Sequence, residues 1–146
     1  MEKVLAMASD HGGFAMKEFI KEKLISESYE VKDFGTFSED SVDYPDMIHP
    51  AAKAINDGQI ELGIIMCGSG NGAQITANKY PNVRAGLCWT VEQAKLTRLH
   101  NNANIISLPG RFIDFDEAWE ITKMFLSTEF EGGRHIERVN KINKLL

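Results

Sequence analysis

The run Gly63-Ile64-Ile65-Met66-Cys67-Gly68-Ser69-Gly70-Asn71-Gly72 joins a thiol to a loop built for an anion. An apolar, strand-like segment ends at Cys67, and a helical pattern opens just after Gly72. Gly68, Gly70 and Gly72 let backbone N–H groups close on a negative charge without side chains in the way. The start of a helix adds unsatisfied amides and the positive end of a dipole. A thiol in that field is favoured as its thiolate. The chemistry indicated is a thiolate base beside an oxyanion-stabilising loop. The same ten residues are also compatible with a buried cysteine before an ordinary strand–helix turn.

Other candidates lie far away in sequence. Asp10 and His11 pair a carboxylate with an imidazole, suited to accepting a hydroxyl hydrogen bond and to orienting a substrate or its phosphate. The pair fits equally well as an Asp cap beside a solvated His. His100-Asn101-Asn102 closes a helical pattern, where His and Asn are favourable for purely structural reasons. An imidazole there can also exchange protons near neutral pH, making His100 a candidate general acid. Arg134 and Arg138 are four residues apart and share one helix face. They can grip a phosphate bidentately or serve as plain surface charges. Arg111 supplies a third cation, while His49 precedes Pro50 on a surface helix and reads as structural or solvated.

Positioning these groups requires a scaffold, and the hydrophobic pattern supplies one. Short apolar runs predict strands over Lys3–Ala8, Tyr29–Phe34, Glu61–Met66, Val83–Cys88 and Asn104–Leu108. Helical spacing predicts helices over Gly13–Ser26, Pro45–Asp57, Gly72–Lys79, Val91–Asn101, Asp114–Leu126 and Glu131–Leu146. In the first helix Phe14, Phe19, Ile20 and Leu24 lie near one face, with Lys17, Glu18, Lys21 and Glu22 mainly elsewhere. Thr90 and Asp114 are expected N-caps, and Pro81 blocks extension of the helix before it. Regular β–α alternation implies an α/β, Rossmann-like, doubly wound domain over residues 1–146. Its five-stranded sheet is mostly parallel, with helices on both faces. Ligands of such sheets bind beyond the carboxyl ends of the strands. The segments Ser9–Gly13, Cys67–Gly72 and Pro109–Arg111 are therefore expected to meet on one sheet edge.

Composition narrows the class. With 146 residues, 43% of them hydrophobic and 25% charged, the chain suits one soluble domain that buries about 70% of its unfolded surface. A net charge of −5 argues against general binding to nucleic acid or to acidic membranes. No apolar run approaches the ~20 residues of a membrane span. Met1-Glu2-Lys3-Val4-Leu5 lacks the apolar region of a signal peptide. Cys67 and Cys88 show neither a disulfide framework nor zinc-ligand spacing, and no metal-ligand cluster is apparent. A cytoplasmic, thiol-reduced protein is expected.

The ordered motifs together are more specific than any one alone. The set comprises Ser9-Asp10-His11-Gly12-Gly13, Asp43-Tyr44-Pro45, Cys67-Gly68-Ser69-Gly70-Asn71-Gly72, Ala77-Asn78-Lys79, Arg98-Leu99-His100-Asn101 and Gly132-Gly133-Arg134-His135. In this order they resemble the ribose-5-phosphate isomerase B family, within the group that includes galactose-6-phosphate isomerase subunits. The resemblance covers nearly the whole chain, and it alone supplies substrate and reaction. It implies interconversion of ribose 5-phosphate and ribulose 5-phosphate through a cis-enediolate, a step of the pentose phosphate pathway. It makes Cys67 the proton-abstracting base and His100 the ring-opening acid. Ser69 handles protons near the reacting oxygens, and Asp10 and His11 contact substrate. Gly68, Ser69, Gly70, Asn71 and Gly72 form the anion loop, and Asn101, Arg111, Arg134 and Arg138 complete the substrate and phosphate contacts. Many family members carry threonine at the position of Ser69; serine keeps the hydroxyl but loses a restraining methyl.

The resemblance further implies a homodimer or dimer of dimers with shared sites. Asp10, His11, Cys67 and the loop would come from one subunit, with His100, Asn101 and Arg111 from its neighbour. Proton transfer of this type calls for neither a metal nor a redox cofactor. Two alternatives stand beside this reading. One is isomerisation of a six-carbon sugar phosphate, allose 6-phosphate or galactose 6-phosphate. The other is a non-catalytic phosphate or nucleotide sensor, although neither a P-loop ending nor a complete Gly-x-Gly-x-x-Gly signature is present.

Overall fold

The computed structural model describes residues 3–146, so Met1 and Glu2 of the N-terminal segment lie outside the described residues. Its elements alternate: β1 (Val4–Ser9), α1 (Phe14–Ser26), β2 (Glu30–Asp33), α2 (Tyr44–Asn56), β3 (Leu62–Cys67) and α3 (Asn71–Ala77). They continue with β4 (Ala85–Leu87), α4 (Val91–Asn101), β5 (Ile105–Pro109), α5 (Phe115–Ser127) and α6 (His135–Lys141). The five strands form one sheet in the order β2-β1-β3-β5-β4, and every pairing is parallel. The most apolar strands, β1, β3 and β5, are therefore central, as full burial of a parallel sheet requires.

Alternation along the strands sorts the core into two layers. Leu5, Met7, Ile64, Met66, Ile106 and Leu108 face one side, packing with Ile20 and Leu24 of α1 and Ile121 and Phe125 of α5. Ala6, Ala8, Ile65, Cys67 and Ile105 face the other, with Ile48 and Ile55 of α2 and Ala73 of α3. Each fully buried Leu, Ile or Phe contributes roughly 1.5–3 kcal/mol of transfer free energy. Helices thus cover both faces, and the doubly wound architecture is confirmed. Among the described residues no helix is long and apolar enough to cross a membrane.

Two caps form as their residue types predict: Thr90 Oγ1 accepts from the Gln93 N–H at 3.1 Å, and Asp114 Oδ1 from the Glu117 N–H at 2.7 Å. Two expectations need correction. The helix expected from Glu131 starts only at His135 and ends at Lys141, because Gly132 and Gly133 adopt positive φ of 73° and 56°. Lys17 is not on the solvated face of α1 but fully buried. Its ammonium lies 2.6 Å from Asp33 and 3.1 Å from Glu18, near the rings of Phe14 and Phe37. Paired in this way, the lysine tolerates a position that its type alone disfavours.

Candidate active site

Beyond the carboxyl ends of β1, β3 and β5, three loops close on one another as expected. The Gly110 N–H donates to the Cys67 carbonyl, and the Arg111 N–H to the Gly68 carbonyl, both at 2.9 Å. A Cβ on Gly110 would stand 2.9 Å from the Gly12 carbonyl oxygen, so only glycine permits this approach. Gly70, with φ of 75°, turns the chain from β3 into α3, and its carbonyl accepts from the buried Ser107 hydroxyl at 2.6 Å. Cys67 ends β3 on the α2/α3 side of the sheet, nearly buried at 5% exposure. Helix α3 has only seven residues, so the loop amides rather than a long dipole carry the case for anion stabilisation.

The neighbouring side chains are held by backbone contacts. Asp10 Oδ1 accepts from the Gly12 N–H at 2.9 Å and the Gly13 N–H at 3.2 Å. This is the cap reading of Asp10, yet Oδ2 makes no hydrogen bond among the described residues, so one oxygen is still available to a ligand. His11 Nδ1 accepts from the Val42 N–H at 3.2 Å, which leaves Nε2 as the protonated, donating nitrogen of the neutral ring. Ser69 Oγ accepts from the Asn71 N–H at 3.2 Å and shapes the exposed crest of the loop. The Arg111 guanidinium spans the Gly12–Gly68 junction: a Cβ on Gly68 would lie 3.2 Å from Nη1. Tyr44 packs its ring against Gly72, where a Cβ would come within 2.7 Å of it. Neither the packing of Tyr44 on Gly72 nor the Val42 N–H bond to His11 has a signal in the local sequence.

A second group forms elsewhere. Helix α4 leaves the carboxyl edge of the sheet after β4 and returns to the amino edge before β5, as a parallel crossover must. Its eleven residues span roughly 16 Å at 1.5 Å per residue. His100 and Asn101 therefore lie at the opposite sheet edge from Cys67 within one chain. Around His100 gather residues of α6 and the segment before it. His100 and His135 stack with centroids 4.4 Å apart and planes 20° from parallel. Glu131 Oε2 lies 3.9 Å from His100 Nε2 and 3.5 Å from His135 Nε2. His100, Asn101, His135 and Arg138 line a pocket of about 310 Å³, with Val139 and Ile142. Arg134 precedes His135 at the start of α6, exposed, one turn before Arg138.

The predicted site residues thus divide into two sets. Asp10, His11, Cys67, Gly68, Ser69, Gly70, Asn71, Gly72 and Arg111 meet at one edge. His100, Asn101 and Arg138 line one pocket at the other, with Arg134 exposed at the start of α6. Arg111 corrects an expectation: it belongs to the same chain's Cys67 group rather than accompanying His100, because its backbone is tied to Gly68. The fold also brings together three potential ligand side chains, His100, Glu131 and His135, that no motif of the sequence groups. Glu131 and His135 are four positions apart, but His100 comes from the end of α4, and no spacing in the sequence sets it beside them.

Comparison with known proteins agrees with the fold and the motifs. The family model described as Ribose/Galactose Isomerase matches residues 5–142. The chain is 36% identical over 143 residues to ribose-5-phosphate isomerase B of Escherichia coli (strain K12), covering 98% of this chain and 96% of the relative. The crystal structure of a ribose 5-phosphate isomerase from Thermotoga maritima superposes with a TM-score of 0.95 at 46% identity, covering 97% and 98% of the two chains. Ribose-5-phosphate isomerase B from Mycoplasma genitalium, solved with ribulose-5-phosphate bound, gives a TM-score of 0.92 at 37% identity over 97% and 94%. With nearly the whole chain matched in sequence and in fold, the protein belongs to the ribose/galactose isomerase family of aldose–ketose isomerases.

Proposed function

We propose that this single-domain protein interconverts ribose 5-phosphate and ribulose 5-phosphate, as the similar enzyme with bound ribulose-5-phosphate suggests. The observation that carries the reading is the junction of three loops at Cys67, where the end of β3 meets the glycine loop and the Arg111 guanidinium lies against Gly12 and Gly68. After ring opening, the Cys67 thiolate takes the C2 proton. The C2–H electron pair becomes the C1–C2 double bond of a cis-enediolate, and the carbonyl π pair moves onto O1. A proton passes from O2 to O1 with help from the Ser69 hydroxyl. Cys67 then returns its proton to C1 as O2 becomes the carbonyl. Loop amides placed before the charge develops lower this barrier, and losing one such donor costs ~3–4 kcal/mol.

His100 donates the proton that opens the sugar ring, and Arg134 and Arg138 hold the phosphate. Because these residues lie at the far sheet edge from Cys67, the complete site is assembled between two copies of the chain, in a dimer or a dimer of dimers. Each site takes the Cys67 set, including Arg111, from one copy and the His100 set from the other. The enzyme works in the cytoplasm, within the pentose phosphate pathway.

Cys67→Ala tests the base. Incubated with ribose 5-phosphate in deuterated water, it is expected to leave C2 hydrogen unexchanged while the folded protein still binds sugar phosphate. Exchange near the wild-type rate would remove Cys67 from the reaction. A coupled assay on ribose 5-phosphate, allose 6-phosphate and galactose 6-phosphate fixes the substrate, with the highest kcat/KM expected on the pentose.

A further inference from the structure

The His100–Glu131–His135 cluster offers two imidazoles and a carboxylate, a donor set with a chemistry of its own. We infer that these three side chains form a binding site for a borderline divalent transition cation such as zinc, and that an occupied site inhibits the enzyme by capturing His100. The three ligand atoms lie within 4.8 Å of one another. A tetrahedral zinc with bonds of about 2.0–2.1 Å separates its donors by roughly 3.3 Å. The Glu131 oxygen is already 3.5 Å and 3.9 Å from the two imidazole nitrogens. Two nitrogens and one oxygen suit zinc, cobalt, nickel or copper, whereas magnesium and calcium prefer all-oxygen shells.

The backbone presents these ligands from two anchored segments. His135 is 6% exposed at the first position of α6, and the Glu131 N–H donates to the Leu99 carbonyl at 3.2 Å, beside His100. Neither imidazole makes a hydrogen bond within the chain among the described residues, so a cation would displace no internal hydrogen bond of either ring. The rings are nearly parallel, and in-plane lone pairs on parallel rings do not converge. His100, whose side chain is 40% exposed, is the ring that must turn to close the site. The neighbouring pocket of about 310 Å³ gives a route of entry and an open fourth position. Arg138 lines that pocket and Arg134 precedes His135, so two cations oppose a dication. Occupancy is therefore readily reversed by a chelator.

The inhibition, though not the binding, rests on the proposed role of His100. Chelator-treated, tag-free protein is titrated with Zn²⁺ by calorimetry and with Co²⁺ by visible absorption, with Mg²⁺ as the control. One cation per chain is expected, with the intense visible band of tetrahedral cobalt and no response to magnesium. Glu131→Gln and His135→Asn should each weaken binding more than tenfold, since loss of even an outer-shell partner costs about 10–100-fold. Cys67→Ala should bind as wild type does, which separates this site from the thiol. Zinc should inhibit isomerisation over the concentration range in which it binds, and EDTA should restore the rate. If His135→Asn does not fold, exposed Glu131→Gln decides alone. Absent binding, or binding unchanged by Glu131→Gln, overturns the site. Binding without inhibition upholds the site and instead removes His100 from the reaction.

Discussion

Cys67 and Cys88 are both buried, yet their surroundings separate them. Cys88 follows β4 inside the apolar layer, where burial pushes its thiol up to about 12 and its Sγ donates weakly to the Gly86 carbonyl at 3.7 Å. Cys67 borders the polar loop junction. Iodoacetamide at neutral pH is therefore expected to alkylate Cys67 with parallel loss of activity, leaving Cys88 unmodified until the chain is denatured. Peptide mass mapping checks this, and equal labelling of both in the folded protein would contradict the distinction. The arginines carry a second expectation at this scale. Arg134→Ala or Arg138→Ala should raise KM strongly and lower kcat less, because remote binding energy also positions the reacting carbons. The effect should vanish for the unphosphorylated sugar, and a variant that discriminates between the two sugars as wild type does sinks the anchor assignment. Cys67 was legible because a strand end followed by glycines has few meanings. Glu131 and the Val42 N–H were not, because one meets His100 only through tertiary packing and the other is a backbone group delivered by a distant loop.

At the scale of elements, hydrophobic period found every strand and helix, while polar side chains decided the details. Helix α1 shows this best. The charge of Lys17 argues for solvent, but its spacing of three from Ile20 and seven from Leu24 puts it on the buried face, where the end of β2 supplies Asp33. Asp33 also accepts from the Gly35 N–H at 2.9 Å, and Gly35 in turn accepts from the Ser9 N–H beside Asp10. The ion pair thus braces the segment that borders the candidate site. Burial opposes the Asp33 charge, but hydrogen bonds from Lys17, the Gly35 N–H and Lys21 outweigh it and hold the carboxyl below its ordinary value of 3.8. A carboxyl depressed by folding adds stability that is complete above the unfolded value and is lost as pH falls through the folded one. Asp33→Asn, which leaves buried Lys17 short of its closest partner, should cost on the order of 3–5 kcal/mol at neutral pH. The gap between wild type and variant should narrow as the pH falls below 3.8, as read from denaturant midpoints. A constant gap across that range would mean that the carboxylate's charge plays no part.

Across the whole molecule, the topology makes a stronger demand than any residue. A parallel crossover forces α4 to carry His100 away from the edge where Cys67 sits, so no rotamer change within one chain unites them. Sequence motifs suggested a shared site only by resemblance, and they misassigned Arg111, whose partner Gly68 lies 43 positions earlier in the chain. The corrected partition is testable by mixing inactive subunits. Cys67→Ala with His100→Ala, co-expressed, should regain activity, because each mixed dimer holds one doubly mutated site and one intact site. Random pairing makes half of the dimers mixed, so about a quarter of the wild-type rate per chain is expected for a two-fold symmetric dimer. Cys67→Ala with Arg111→Ala should regain nothing beyond the homodimers' own rates, since both changes fall in the same chain's half of the site and every site then carries one of them. Native mass spectrometry confirms that mixed dimers are present in each case. Recovery in the Arg111 mixture would return that arginine to the His100 half. Failure in the His100 mixture, with folded mixed dimers present, would show that the two edges do not meet across an interface.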